Sequence, residues 1–170
     1  MKKGGFIAVL ALILAAISLL PAQTKKSLKD LPPEHRKWLE EDVVYIISPK
    51  EKEVFLQLET NRDRSLFIQA FWKQRDPTPE TEENEFRTEH YRRIQYANQW
   101  FGKDSPGPGW RSDMGRVYIQ HGEPDEIESQ PIGKMLHAWE IWYYYLDHTK
   151  YIFVDTEGFG EFKLIETSRI

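Results

Sequence analysis

The side chains best suited to chemistry in this chain crowd into one stretch, Gly107 to Glu128, which reads GPGWRSDMGRVYIQHGEPDEIE. Arg111, Ser112, Asp113, Arg116, Glu123 and Asp125 stand around Trp110 and Tyr118 there. As a ligand site at the edge of a sheet, Trp110, Ser112, Asp113, Arg116, Tyr118 and Asp125 offer donors, acceptors and aromatic faces, and Trp142 from a later strand joins them. As a latch, the same groups serve the fold. Ser112 and Asp113 bond nearby N–H groups in a tight turn, Arg116 forks onto Asp113 or Asp125 across the turns beside it, and Trp110 fills a pocket. On either reading, Gly107, Gly109 and Gly115 permit backbone angles closed to other residues.

Catalytic arrangements are thinner. Ser112, Asp113 and His121 or His137 include the residue types of a hydrolase triad, but no nucleophile elbow surrounds Ser112. His137 with Glu140, or Asp147 with His148, could ligate a metal. Along an extended strand, however, His137 and Glu140 face opposite ways, and no HExxH spacing occurs. Asp155 and Glu157 suit either a calcium site or the Gly-rich turn that holds them. An extracytoplasmic hydrolase working through Asp113, Glu123 or Asp125 is the enzymatic alternative to a binding module. With no phosphate-binding loop and no dinucleotide fingerprint, no cofactor is expected.

The elements that must position this stretch follow from periodicity. Glu34 to Ile47 has helical spacing, although Val43-Val44-Tyr45-Ile46-Ile47 is β-forming by itself. Ser48-Pro49-Lys50-Glu51 opens a second helix with a capping box. Leu66, Phe67, Ala70 and Phe71 mark one face of a third helix, which Pro77 and Pro79 end. Thr81 is the expected cap of a fourth, whose first turn is rich in Glu. After Gly102 the period changes to two. Arg116 to Gln120, Trp139 to Tyr145, Tyr151 to Asp155 and Phe162 to Glu166 read as strands. The expected class is α+β, with about four N-terminal helices packed on a small antiparallel sheet, a β-meander of three strands plus one preceding strand. Val117, Ile119, Ile152, Val154, Phe162 and Leu164 are the expected core side. The opposite face, also partly aromatic, is either covered or a platform for an extended ligand.

Composition narrows the class further. Lys2 and Lys3 precede an apolar run from Phe6 to Leu20 and then Pro21-Ala22-Gln23, the layout of a signal peptide over residues 1–22. An uncleaved anchor is the second reading of this segment. A flexible lead (23–33) and a single domain (34–170), helical to 102 and sheet-forming from 103, are expected to follow. The absence of Cys excludes disulfides and thiolate chemistry. Loss of Lys2 and Lys3 takes the net charge from −4 to −6, which argues against nucleic acid as a partner.

Gly109-Trp110-Arg111-Ser112-Asp113 resembles the signature of the GWxTD-domain family of bacterial proteins. Further family-like motifs follow the same order: Phe71-Trp72 with Arg75-Asp76-Pro77, Asn84-Glu85-Phe86, Gly115 to Ile119, Gly122 with Pro124-Asp125, Glu140-Ile141-Trp142, and Phe153-Val154-Asp155 with Gly158. The resemblance runs from about 35 to 166 and departs at Ser112, which keeps the hydroxyl of Thr and loses a methyl. It implies an exported or envelope protein whose biochemical activity is not established, and it brings no catalytic residues; the expected location is periplasmic or extracellular. The expected role is a non-catalytic binding or assembly module that engages an envelope protein or extended polymer.

Overall fold

The computed structural model describes residues 27–103, 107–131 and 137–170; the expected signal peptide, and residues 23–26 of the lead, lie outside them. Among the described residues, no helix is long and apolar enough to cross a membrane. The rest of the lead forms a 3-10 turn at Leu28–Asp30 and buries Leu31.

Pro33, in the first helical position, opens α1 (Pro33–Lys37), which runs on as a π-helical turn, Trp38–Asp42. The helix expected to reach Ile47 therefore ends at Val43, where the β-branched run begins. At α2 (Pro49–Gln57) the capping box forms as read: Glu51 N–H donates to Ser48 Oγ at 3.2 Å, and Ser48 N–H donates to Glu51 Oε2 at 2.8 Å. The first turn of α3 (Asn61–Lys73) is capped by Thr60. The cap of α4 (Glu85–Trp100) is Asn84 and not Thr81, whose hydroxyl instead donates to the carbonyls of Thr78 and Glu83. Trp38, Leu39, Val43, Phe55, Phe71 and Trp72 form the helical core, with the Trp38 ring 5.0 Å from Phe55 and 5.2 Å from Phe71. Burying a side chain of this size contributes about 1.5 to 3 kcal/mol.

The expected strand at 116–120 is a helix, α5 (Asp113–His121). Its alternation was a coincidence of β-branched and aromatic types. The deciding signals are Ser112 at the N-cap and the spacing of Met114, Val117 and Tyr118, which are buried on one helical face. The strand that precedes the meander lies later, at β1 (Glu126–Gln130). Then come β2 (Trp139–Tyr144), β3 (Thr149–Val154) and β4 (Lys163–Arg169), all antiparallel in the order β1-β2-β3-β4. The α+β architecture is thus five helices followed by a four-stranded antiparallel sheet.

Register sorts the sheet into two faces. Ile127 pairs with Trp142 and Trp142 with Tyr151, so these share the inner face with Glu140, Tyr144 and Phe153. Met114, Val117 and Tyr118 of α5 pack on Trp142, Tyr144 and Phe153, which are 2%, 4% and 0% exposed. This corrects the expected core side. Leu164, Phe162 and Val117 do pack there, but Ile152 and Val154 lie on the outer face. Period two identifies which residues share a face, and the covering helix selects which face is core.

Candidate functional site

The motif stretch joins the two halves through contacts that can be followed atom by atom. Gly109–Arg111 is a 3-10 turn packed on α4 so closely that a Cβ on Gly109 would lie 1.9 Å from the Ala97 carbonyl oxygen. A Cβ on Gly115 would lie 2.0 Å from the Gly109 carbonyl oxygen. Both glycines are therefore required for close approach and not, as expected, for unusual backbone angles. Positive φ occurs instead at Gly122, Gly158 and Gly160.

Trp110 is buried at 8% exposure. Its N–H donates to Asn98 Oδ1 at 3.1 Å, its carbonyl accepts from the Tyr45 hydroxyl at 3.1 Å, and the Arg111 guanidinium lies 4.8 Å from its ring centroid. Ser112 Oγ accepts from Gly115 N–H at 2.9 Å and donates to the Gly109 carbonyl at 2.7 Å. This hydroxyl is the part of Thr that Ser retains. Asp113 uses both oxygens: Oδ1 accepts from Arg116 Nη2 and Oδ2 from Leu164 N–H, each at 2.9 Å, which ties the start of α5 to β4. As an acid in the first helical turn it also meets the positive end of the dipole.

The other sequence-identified residues stand elsewhere. Tyr118 stacks on Tyr96 with centroids 4.4 Å apart, and Trp142 lies beneath it in the inner core. Asp125 closes the start of β1, with Oδ2 accepting from Tyr145 N–H at 2.7 Å. Arg116 pairs with Asp113 and not with Asp125. Asp155, weighed as a calcium ligand, holds the Gly-rich turn: Oδ1 accepts from Gly158 N–H and Oδ2 from Gly160 N–H, both at 2.8 Å. Burial works to raise its pKa, but the N–H groups of Gly160 and Gly158 outweigh it and hold the carboxyl below its ordinary value. Among the described residues, no group of three or more His, Asp or Glu is arranged to hold a metal.

Two arrangements were not legible beforehand. His121 Nδ1 lies 3.0 Å from Asp147 Oδ2, and its Nε2 lies 2.9 Å from the Tyr151 hydroxyl, so Asp147, His121 and Tyr151 form a line between α5 and the β2–β3 hairpin. Burial, then the Asp147 charge, pushes the Tyr151 phenol up, so it keeps its proton. Asp147 and Tyr151 are far from His121 in sequence, and only the fold brings the three together.

The second arrangement is on the outer face. Trp139 Nε1–H donates to Gln130 Oε1 at 3.0 Å, the Tyr143 hydroxyl donates to Glu128 Oε1 at 3.1 Å, and the Tyr145 hydroxyl donates to Glu126 Oε2. Alternate residues of β1 thus hold the polar tips of three aromatic side chains. The rings of Tyr143 and Tyr145 stack 6.2 Å apart. Ile141, Ile152 and Val154 share this face with them, and none of these residues belongs to the buried core clusters among the described residues.

Searches among curated proteins and among solved structures each return no match. The family profile described as the GWxTD domain matches residues 28–165, from the first 3-10 turn to the middle of β4. With most of its length matched, the chain belongs to the GWxTD-domain family.

Proposed function

We propose that this domain is a non-catalytic binding module of the bacterial envelope that engages a protein segment or another extended polymer across the outer face of its sheet. The observation that carries this reading is the row of Trp139, Tyr143 and Tyr145, outside the core and held side by side by Gln130, Glu128 and Glu126. Such rings offer contact area at little cost in side-chain entropy, because their tips are already fixed. The motif contributes from behind: Trp110, Ser112, Asp113 and Arg116 fix α5 against β4, and α5 with Tyr118 and Trp142 supports the sheet. Export through residues 1–22 is part of the same proposal.

The hydrolase alternative requires Asp113, Glu123 or Asp125 as acid or base. Asp113 and Asp125 both accept backbone N–H bonds that shape the fold, which favours binding over catalysis. The test is a pulldown from native envelope extracts with wild type and the double variant Trp139→Ala, Tyr143→Ala. The expected result is loss of the captured partner at unchanged far-UV circular dichroism. Retention of every partner by the folded double variant removes the reading.

A further inference from the structure

We infer that a second site, on the helix side of the sheet, binds a basic side chain, the guanidinium or ammonium of an Arg or Lys presented by a partner protein. The end of α4, the start of α5, the inner face of β2 and the turn before β4 enclose a cavity of about 310 Å³. Its aromatic wall is Tyr96, Trp100, Phe101 and Phe162, and its acids are Glu140 and Glu161.

Two independent features of this cavity favour a cation. First, its charged lining is acidic. Glu140 accepts from Trp142 Nε1–H through Oε2 at 2.8 Å and has no cationic partner among the described residues, whereas Glu161 is paired with Lys163. Second, part of the aromatic wall is open to solvent. Tyr96 lies 6.1 Å from Trp100 and 5.8 Å from Phe101, and Trp100 is 52% exposed. The Lys103 ammonium already stands 5.0 Å from the Trp100 ring centroid, so this rim attracts a cation from its own chain.

The volume lies near the lower end of ligand cavities, which suits one side chain. An anion would meet two carboxylates. A neutral apolar group would leave Glu140 without a counter-charge. The site uses none of the outer-face rings, so it stands or falls separately from the platform.

The test is a titration of the folded, ¹⁵N-labelled domain with three capped tripeptides, glycyl-arginyl-glycine, glycyl-lysyl-glycine and the neutral citrulline analogue, and with tetramethylammonium. Amide and indole N–H shifts are followed. The expected result is movement of Trp100, Gly160 and Glu161, with the Arg or Lys peptide bound about tenfold more tightly than the citrulline peptide. Glu140→Gln and Trp100→Ala should each weaken the charged peptide by about tenfold, and Lys103→Ala should strengthen it by removing the internal competitor. Equal binding of the citrulline peptide, shifts confined to Trp139 and Tyr143, or unchanged affinity in folded Glu140→Gln overturns the site. Tighter binding of tetramethylammonium than of either peptide overturns the side chain as occupant. An outer-face variant that loses its partner but still binds the charged peptide separates this inference from the platform.

Discussion

The inner face of the sheet carries Trp142, Tyr144, Tyr151 and Phe153, and the outer face carries Trp139, Ile141, Tyr143 and Ile152, so both faces present large apolar side chains with aromatic rings among them. What differs is where their polar atoms go. On the inner face the Tyr144 hydroxyl donates to the Gly122 carbonyl at 2.9 Å and Tyr151 bonds His121, so the strands are tied to the end of α5 and the turn after it. On the outer face every tip reaches β1, an edge strand whose five residues are all exposed. The first pattern closes a core. The second orders a surface, and on the proposed reading its rings are held there for a partner.

The comparison breaks if the two faces respond alike to truncation. Trp142→Ala removes a fully packed ring from between Phe101 and Phe153 and should cost about 3 to 5 kcal/mol in urea unfolding. Tyr143→Ala should cost less, about 1 to 2 kcal/mol, because it loses one surface hydrogen bond and the packing of a ring that is only partly buried. Similar losses for both would mean that the outer face is covered.

The motif that backs the inner face gives the next largest contrast. Gly109→Ala forces a Cβ into the Ala97 carbonyl and should destabilise by about 3 kcal/mol or more, whereas Gly107→Ala, whose Cβ would meet none of the described residues, should be nearly neutral. Asp113→Ala orphans the Leu164 N–H and the Arg116 guanidinium together and should cost about 2 kcal/mol. Arg116→Ala removes only a half-exposed partner and should cost no more than about 1 kcal/mol by the same unfolding measurement. If Arg116→Ala proves the more damaging, the tie from α5 to β4 is not what Asp113 provides.

The parts of this design visible in sequence were those set by local chemistry. The capping box at Ser48 and Glu51 is complete within four residues, and β2, β3 and β4 alternate over enough positions to be read. The α5 segment failed that test, because Val117-Tyr118-Ile119 favours extended chain locally while Ser112 and the helical spacing from Met114 to Tyr118 favour helix. Packing of both Val117 and Tyr118 beneath the sheet decided it. The β1 strand, Glu-Ile-Glu-Ser-Gln, carries few β-formers; it exists because Trp139, Tyr143 and Tyr145 reach across to it. Of the motif, the Asp113–Arg116 pair and the packing of Trp110 were legible from residue types at short spacing. The role of Gly109 was not, because a close approach to Ala97 leaves no mark on either residue alone. The cavity beside Glu140 was hidden for the same reason, since its walls come from four separate elements.

The smallest expected effect separates the regions by pH. In the helical half, burial holds the His90 pKa below its ordinary value of 6.5 while the ring nitrogen bonds the Asp42 carbonyl. The unfolded chain therefore takes up that proton first, and stability should begin to fall as pH drops below 6.5. The Asp155 carboxyl, held below its ordinary 3.8, should add a second loss only as pH falls below that value. The outer face responds in the opposite direction. The hydrogen bond to Glu126, then burial, pushes the Tyr145 phenol up to about 12. A raised phenol favours the folded state fully below pH 10 and loses that contribution as pH rises toward 12. Absorbance at 295 nm should show a late-titrating group that also includes Tyr91 and Tyr144, and this group should lose one phenol toward 10 in Glu126→Gln, while the acid limb of the stability profile stays where it was. If Glu126→Gln shifts the acid limb instead, the ladder on β1 is coupled to the core, and the division between an inner face that folds the domain and an outer face that presents it fails.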